Sequence, residues 1–293
     1  MSSPTGFIGQ GWIGKNYADD FEARGYGVVR YALEEPYCNN LTALSDCSVV
    51  FIAVPTPTTV EGFDFSIVAD SLQLLRPGTI AVVKSTLLPG TTDTLQDQFP
   101  ELVVLHSPEF LREASAAHDA ANPNRNIIGI PKDTQTHRDA AALVLSLLPT
   151  APYSTTIDAS AAELVKYAGN CFLYSKVVFM NVLYDIASAQ NIEWSQLRET
   201  LVADPRIGDS HTQPVHVSGH ETDKAKQVRG AGGHCFIKDF EAFIELYDDT
   251  LESELGMSAL TALRDYNNQL LRNSGKDVDL LDGVYGAHTQ SKK

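Results

Sequence analysis

The segment that most limits what this 293-residue chain can fold into lies near its start. Thr5-Gly-Phe-Ile8 is a short apolar strand, Gly9-Gln-Gly11-Trp12-Ile13-Gly14 follows at once, and a polar helical pattern runs to about Arg24. A Gly-x-Gly-x-x-Gly run alone says little. Set between a strand and a helix it reads as a dinucleotide fingerprint: the glycines give the tight turn, the close approach to pyrophosphate and the helix packing, and the helix N-terminus faces the phosphates.

The chain then alternates. Strands are expected at Gly27–Tyr31, Ser48–Val54, Thr79–Val83, Leu102–Leu105, Asn126–Ile130 and Tyr153–Ile157, with a helix near 134–148. Alternating strands and helices imply an α/β fold with a doubly wound parallel sheet, and the unbroken apolar run at Ser48–Val54 is what such a sheet buries. Ligands of these sheets bind at the carboxyl ends of the strands. There the sequence places Pro55 and Thr56, then Lys84-Ser85-Thr86, then Glu109 and Glu113, a pair at i, i+4 that would otherwise be a solvated helix face. The acidic residue that usually holds the ribose of NAD is replaced by Ala32, with Glu34 and Glu35 just beyond. Either glutamate is within reach of a ribose, and their charge disfavours a 2′-phosphate, so NAD is expected rather than NADP.

Ser160-Ala-Ala-Glu163 has the spacing of a capping box, and a helix pattern continues from it to about Gln190. It is apolar nearly all round, so it must be covered; in a chain of this size a second subunit is the expected cover. Lys166 and Asn170 share one face of it at i, i+4. Residues 203–234 form a polar connection containing Arg206 and the histidines His211, His216 and His220. No carboxylate or cysteine completes a ligand set there, so no metal is expected. A connection of that length inside a domain is usually functional.

That connection ends in Arg229-Gly-Ala-Gly232-Gly-His-Cys235-Phe-Ile-Lys238-Asp239. The run from Cys235 reads as the start of a helix, which puts Cys235 and Asp239 on one face with Lys238 alongside. A thiol at a helix N-terminus near a lysine should ionise more easily, and the thiolate is the nucleophile. A buried structural cysteine is the plain alternative; the glycines before it and the Lys-Asp after it favour chemistry. Helices are expected from Asp239 to about Leu255 and over 258–273, and the polar residues from Ser274 onward are expected to be loose.

The formal charge of −15 argues against a nucleic-acid partner, while leaving room for a small anionic substrate. No apolar run approaches a membrane span and no signal peptide opens the chain, so the cytoplasm is the default. Cys38, Cys47, Cys171 and Cys235 show no Cys-x-x-Cys or zinc spacing, as expected of reduced thiols.

The Gly230–Asp239 stretch resembles the active-site segment Gly-x-Gly-Gly-x-Cys-x-x-Lys-Asp of the UDP-glucose/GDP-mannose dehydrogenase family. Val-Pro-Thr-Pro-Thr58, Lys-Ser-Thr86, Pro-Glu109-Phe-Leu-x-Glu113, Lys166-x-x-x-Asn170 and Arg206-Ile-Gly follow the family's order. The resemblance implies a Rossmann-like NAD-binding domain over 1–157 and an all-helical dimerisation and catalytic domain, with a long central helix, over 158–293. It implies oxidation of a nucleotide-sugar primary alcohol to the acid through a thioester on Cys235. In that scheme Lys166 and Asn170 steady the oxyanion and bind substrate with Gly232 and Arg206, the arginine acting across a homodimer. Asp239 and Thr86 handle the proton or place water, and Glu109 assists hydrolysis. Gly9, Gly11, Trp12, Ile13, Gly14, Pro55, Thr56, Thr86, Glu113 and Lys238 would meet NAD. The chain departs from the family at Ala32, at Ala114 where glycine is common, in a trimmed connection between the second and third strands, and in stopping before the C-terminal domain that grips UDP or GDP. The last departure leaves the sugar open. Two other readings remain: a single-step hydroxyacid dehydrogenase using Lys166 and Asn170 without Cys235, and a silent dinucleotide-binding scaffold.

Overall fold

The structure is a computed structural model and describes residues 3–112, 115–217 and 227–286. By internal contacts the chain divides into two units. One comprises Met1–Pro57 and Asp64–Lys166, the other Thr58–Phe63 and Tyr167–Lys293.

In the first unit, β1 (Thr5–Ile8), α1 (Trp12–Ala23), β2 (Val28–Tyr31) and β3 (Val49–Ile52) open the chain. A 3-10 stretch, Cys38–Asp46, fills the short connection before β3. The hairpin strands β4 (Thr58–Thr59) and β5 (Gly62–Phe63) belong to the second unit. The first unit resumes with α2 (Ser66–Gln73), β6 (Ile80–Val83), α3 (Thr91–Gln98), β7 (Val103–His106), α4 (Ala116–Ala121), β8 (Arg125–Ile130), α5 (Gln135–Leu147) and β9 (Tyr153–Asp158). The seven sheet strands lie in the order β2-β1-β3-β6-β7-β8-β9. Pairing is parallel from β2 to β7, as a doubly wound fold requires. β8 then runs antiparallel to β7, with β9 parallel to β8, so the sheet is mixed rather than wholly parallel. All four residues of β1 and of β3 are buried. Phe7, Phe21 and Phe51 pack ring on ring at 5.1 to 5.4 Å and pin α1 to the sheet, contacts worth roughly 0.5–1.5 kcal/mol each beyond area burial.

α6 (Ala159–Ala189) follows β9 without a break. The capping box expected at Ser160–Glu163 does not form. Asp158 accepts the Ala161 N–H at 3.3 Å, while Glu163 turns to α3 and accepts from Gly90 N, Thr92 N and Thr92 Oγ1 at 2.5 to 2.8 Å. A distant helix with its own bare N-terminus wins over the local motif.

The second unit carries α6 from Tyr167 onward, then α7 (Trp194–Val202), the two-stranded ribbon β10 (His216–Val217) and β11 (Gln227–Val228), α8 (Gly233–Thr250), α9 (Glu254–Ser274) and α10 (Val278–Tyr285). Tyr174 of α6 stacks on Phe240 of α8 at 3.9 Å. α10 corrects the expectation of a loose tail: Leu281 and Val284 are buried against Ile237 of α8 and Leu271 of α9. The opposite face of α6 is open, with Phe172 at 70%, Phe179 at 60% and Ile186 at 54% exposure.

Candidate active site

In the first unit the Gly9–Gly14 turn is built for close backbone approach. Gly9 has φ +88, and a Cβ there would lie 2.2 Å from the Ala53 carbonyl oxygen; one on Gly14 would lie 1.9 Å from the Gly9 oxygen. Gly11, by contrast, faces open space. It is the N-cap of α1 and offers no side-chain cap, so the helix N-terminus is presented outward, with Trp12 exposed and Ile13 half-buried. A dinucleotide pyrophosphate fits this cradle. Gln10 is steadied by Arg30, which also pairs with Asp19 and Glu22.

Two motifs separate in sequence are stitched together here. Ser85 Oγ donates to the Val54 carbonyl at 2.7 Å and accepts the Val54 N–H at 3.0 Å. Thr56 Oγ1 donates to the Thr86 carbonyl at 2.8 Å. Pro55, Thr56 and Thr86 therefore sit in one loop cluster at the ends of β3 and β6.

The Lys166 ammonium donates to Glu109 Oε1 at 2.6 Å and to the Glu109 carbonyl at 2.8 Å. Both side chains are nearly inaccessible, and Glu109 Oε2 accepts the Leu111 N–H, which fixes the carboxylate further. Close by in the same core is Lys84, to which the sequence reading gave no role. It lies 4.0 Å over the Tyr17 ring and donates to Ser107. Burial pushes its ammonium down to about 7, opposed by the charge of Glu109. Burial also pushes His106 down to about 3, leaving a neutral ring whose two nitrogens find no hydrogen-bond partner. Glu34 and Glu35 are exposed and Ala32 is half-buried. Glu113 and Ala114 lie outside the described residues, as does His220.

In the second unit, Cys235 is exposed in the first turn of α8. Asp239, one turn further, is 1% exposed. Its carboxylate accepts Asn170 Nδ2 at 2.6 Å and Lys238 Nζ at 2.6 Å. Asn170, Lys238 and Asp239 are thus one hydrogen-bonded group beside the thiol-bearing turn. Lys238, expected toward the cofactor, is engaged by its neighbour. Cys171 lies behind this group, its sulfur 3.9 Å from the Asp239 carbonyl, and burial pushes its thiol far up, consistent with an inert packing role.

Arg206 is not drawn into this group. It is exposed and folds back onto Asp204, with nitrogens 2.6 to 3.1 Å from that carboxylate. The Arg-Ile-Gly turn itself is tied to α6 by Lys176, which donates to the Ile207 and Gly208 carbonyls. Next to Gly232 a cavity of about 310 Å³ opens, lined among others by Arg198, His211, His216, Gly230, Phe236 and Lys276. Lys176 and Lys276 escaped the sequence reading; Gly275-Lys-Asp277 carried a turn signal, but nothing local tied it to Cys235. Among the described residues no cluster of three His, Cys, Asp or Glu is arranged to hold a metal ion, and no helix is long and apolar enough to cross a membrane.

Comparison with known proteins gives the family. The NAD binding domain of the UDP-glucose/GDP-mannose dehydrogenase family matches residues 35–145, and that family's central domain matches residues 160–269. The chain belongs to this family. The matched first domain accords with NAD as the expected cofactor. This dehydrogenase-family chain is 30% identical over 226 residues to a putative UDP-glucose 6-dehydrogenase, YtcA, of Bacillus subtilis, a match covering 70% of this chain and 49% of that protein. It is 32% identical over 216 residues to a UDP-glucose 6-dehydrogenase of Pseudomonas aeruginosa, covering 69% and 45%. The solved UDP-glucose dehydrogenase of Pyrobaculum islandicum superimposes with a TM-score of 0.76 at 26% identity, over 94% of this chain and 72% of that one. The chain spans about half the length of the curated relatives it matches.

Proposed function

We propose that the chain is an NAD-dependent dehydrogenase that oxidises the primary alcohol of a nucleotide sugar, UDP-glucose or a close analogue, to the carboxylate through a thioester on Cys235. The observation that carries this reading is the buried Asp239 carboxylate, held by Asn170 and Lys238 one helical turn beyond an exposed cysteine. A hydroxyacid dehydrogenase using only Lys166 and Asn170 has no need of that arrangement.

Bound NAD would supply the hydride acceptor, one NAD for the alcohol carbon and a second NAD for the thiohemiacetal carbon. The chain's own groups do the rest. The Cys235 thiolate adds to the aldehyde, giving a thiohemiacetal; loss of hydride from it leaves a thioester; water adds to the thioester and expels the thiolate as the acid forms. Lys166 and Asn170, four residues apart on α6, supply positive charge and an N–H to the oxyanions that develop. Asp239 takes up the alcohol proton, Thr86 places the water, and Glu109, held by Lys166, serves as base in hydrolysis. The Gly9–Gly14 turn with Trp12, Ile13, Pro55 and Thr56 binds the cofactor; Gly232 and Arg206 bind substrate. The exposed heptad Phe172, Phe179 and Ile186, with Val182 between, supports a homodimer in which a second copy covers α6. Cysteines without a disulfide fit a reducing cytoplasm.

The test is NADH formed per limiting UDP-glucose, for the intact chain and for Cys235→Ser. Two NADH per sugar, falling to one or none in the variant, supports the thioester route. One NADH per substrate, unaffected by the variant, overturns it.

A further inference from the structure

The loop before Cys235 is gripped by a turn that follows α9. Lys276, 7% exposed, donates its ammonium to the Gly230 carbonyl at 2.9 Å and lies 2.7 Å from His216 Nε2. With the ammonium as donor, Nε2 must accept, so the ring proton sits on Nδ1, which lies 3.3 Å from the Pro214 carbonyl. Asp277 makes the second grip: its Oδ2 accepts the Gly233 N–H at 2.8 Å. α8 begins behind Gly232, which has no side chain with which to cap it. The carboxylate of Asp277 therefore caps the nucleophile-bearing helix from outside, 44 residues away in sequence. It also occupies the space over Gly232, where a Cβ would lie 2.1 Å from Oδ2 and 2.8 Å from Lys276 Cε. Asp277 itself has φ +50, a left-handed conformation that aspartate tolerates better than most residues.

We propose that Asp277 is the positioning residue for Cys235: its carboxylate locks the Gly230–Gly233 loop against the first turn of α8 and sets the charge that the Cys235 sulfur faces. This rests on the reading of Cys235 as the nucleophile. The N-terminus of α8 by itself favours a thiolate at its third residue. A carboxylate fixed at the first N–H opposes that field, so the resting thiol is held back relative to a helix start without such a partner. Among the described residues, the other charged or titratable groups of the second unit around this turn include His234, Lys238 and Asp239 on α8, Lys276 beside Asp277, His216, which lies against Lys276 and within the field of Asp277, and His211, whose ring lies 5.6 Å from Phe236.

The test uses the full chain and no substrate. The rate of iodoacetamide alkylation of Cys235 is followed against pH by peptide mass spectrometry, with half-buried Cys38 as the internal reference. Asp277→Asn keeps an acceptor for Gly233 and removes the charge. The Cys235 midpoint is expected to fall by about half a pH unit, with alkylation roughly threefold faster below it, and Cys38 unchanged. Asp277→Glu, which keeps the charge, is expected to stay within about 0.2 unit of the parent. An Asp277→Asn midpoint that stays in place, rises, or moves together with that of Cys38 overturns the proposal, as does an Asp277→Glu midpoint that falls as far as that of Asp277→Asn. If Asp277→Asn does not fold, the Glu variant decides alone: a midpoint held at the parent value supports the proposal and a fall overturns it. A failure to form NADH from any sugar would count against the proposed function and leave this measurement untouched.

Discussion

Asn170, on α6, donates its side-chain amide to the buried carboxylate of Asp239, on α8, at 2.6 Å. The bond ties the two helices together beneath the turn that carries Cys235, and it is charge-assisted in a site that water scarcely reaches. Asn170→Ala leaves one carboxylate oxygen without its donor. The expected cost is about 1.5–3 kcal/mol, the value of a hydrogen bond to a charged group, read by urea denaturation followed at the aromatic signals of the second unit. A loss below about 0.5 kcal/mol would mean that solvent replaces the amide and that Asp239 is less enclosed than its burial implies.

The Lys166–Glu109 pair invites a two-step experiment in the first unit. Both side chains are buried, so removing one partner strands a charge. Lys166→Met is expected to cost about 3–5 kcal/mol, and Lys166→Met with Glu109→Met to recover most of it, since a buried ion pair often breaks even against apolar side chains of similar size. Denaturation of the single and double variants gives the coupling. NADH formation should be lost in both if the pair serves the proposed chemistry. Additive single-variant costs would mean that the two groups do not share one buried bond.

What the sequence made legible follows from how far each interaction reaches along the chain. The Gly9–Gly14 turn could be read because its glycines act on neighbours in a continuous strand, turn and helix. The parallel strands could be read because strands buried on both faces are written as apolar runs, of which Val49–Ile52 is the clearest. Lys166 and Asn170, or Cys235 and Asp239, stand at i, i+4 on one helix, a spacing legible from helical period alone. Where the partner is remote, local grammar misleads. Ser160–Glu163 has capping-box spacing, yet Glu163 serves Gly90 and Thr92, more than seventy residues away. Asp277 looked like part of a polar tail, and α10 was missed because its short apolar face, Leu281 and Val284, is flanked by charges. The strands β8 and β9 were legible but their reversal was not, since strand direction is not written in apolar content.

Glu163 offers a pH signature. Burial raises its carboxyl to about 7, against the lowering effect of its bonds to Thr92 and Gly90. The ordinary value is 4.5, so between those two pH values the folded chain holds a proton that the unfolded chain has released. Stability from this group is therefore greatest below pH 4.5 and falls as pH rises to about 7, by no more than about 1.4 kcal/mol per pH unit. Glu163→Gln should remove that downward slope. Subtracting the variant's stability profile from the parent's isolates it from the remaining carboxylates. A flat difference across the window would place the folded carboxyl at its ordinary value.

The open face of α6 predicts an assembly. Phe172, Phe179 and Ile186 recur every seven residues, with Val182 between them, the spacing of a helix seam that meets another helix. Phe179→Glu puts a charge at the middle of that seam. Light scattering coupled to size exclusion is expected to report a dimer for the parent and a monomer for the variant, with the circular dichroism spectrum unchanged. A parent that is monomeric at tens of micromolar would remove the homodimer, and with it the supply of Arg206 from a second copy.

Gly232 was expected to serve substrate, and the structure supplies another reason for glycine there. Its backbone, φ −131 and ψ −158, is open to any residue, so conformation does not demand glycine; space does. Gly232→Ala drives a methyl group into Asp277 Oδ2 and Lys276 Cε. The backbone must shift or the Asp277–Gly233 bond must break, at about 1–3 kcal/mol for an overpacked site. Asp277→Ala alone loses the cap, about 1 kcal/mol. The double variant Gly232→Ala with Asp277→Ala is expected to cost less than the sum, because the methyl group then enters the space the carboxylate leaves. Denaturation of the three variants gives the coupling, which should be favourable by about 1 kcal/mol. Strict additivity would show that the glycine answers to something other than Asp277, and would return it to the substrate alone.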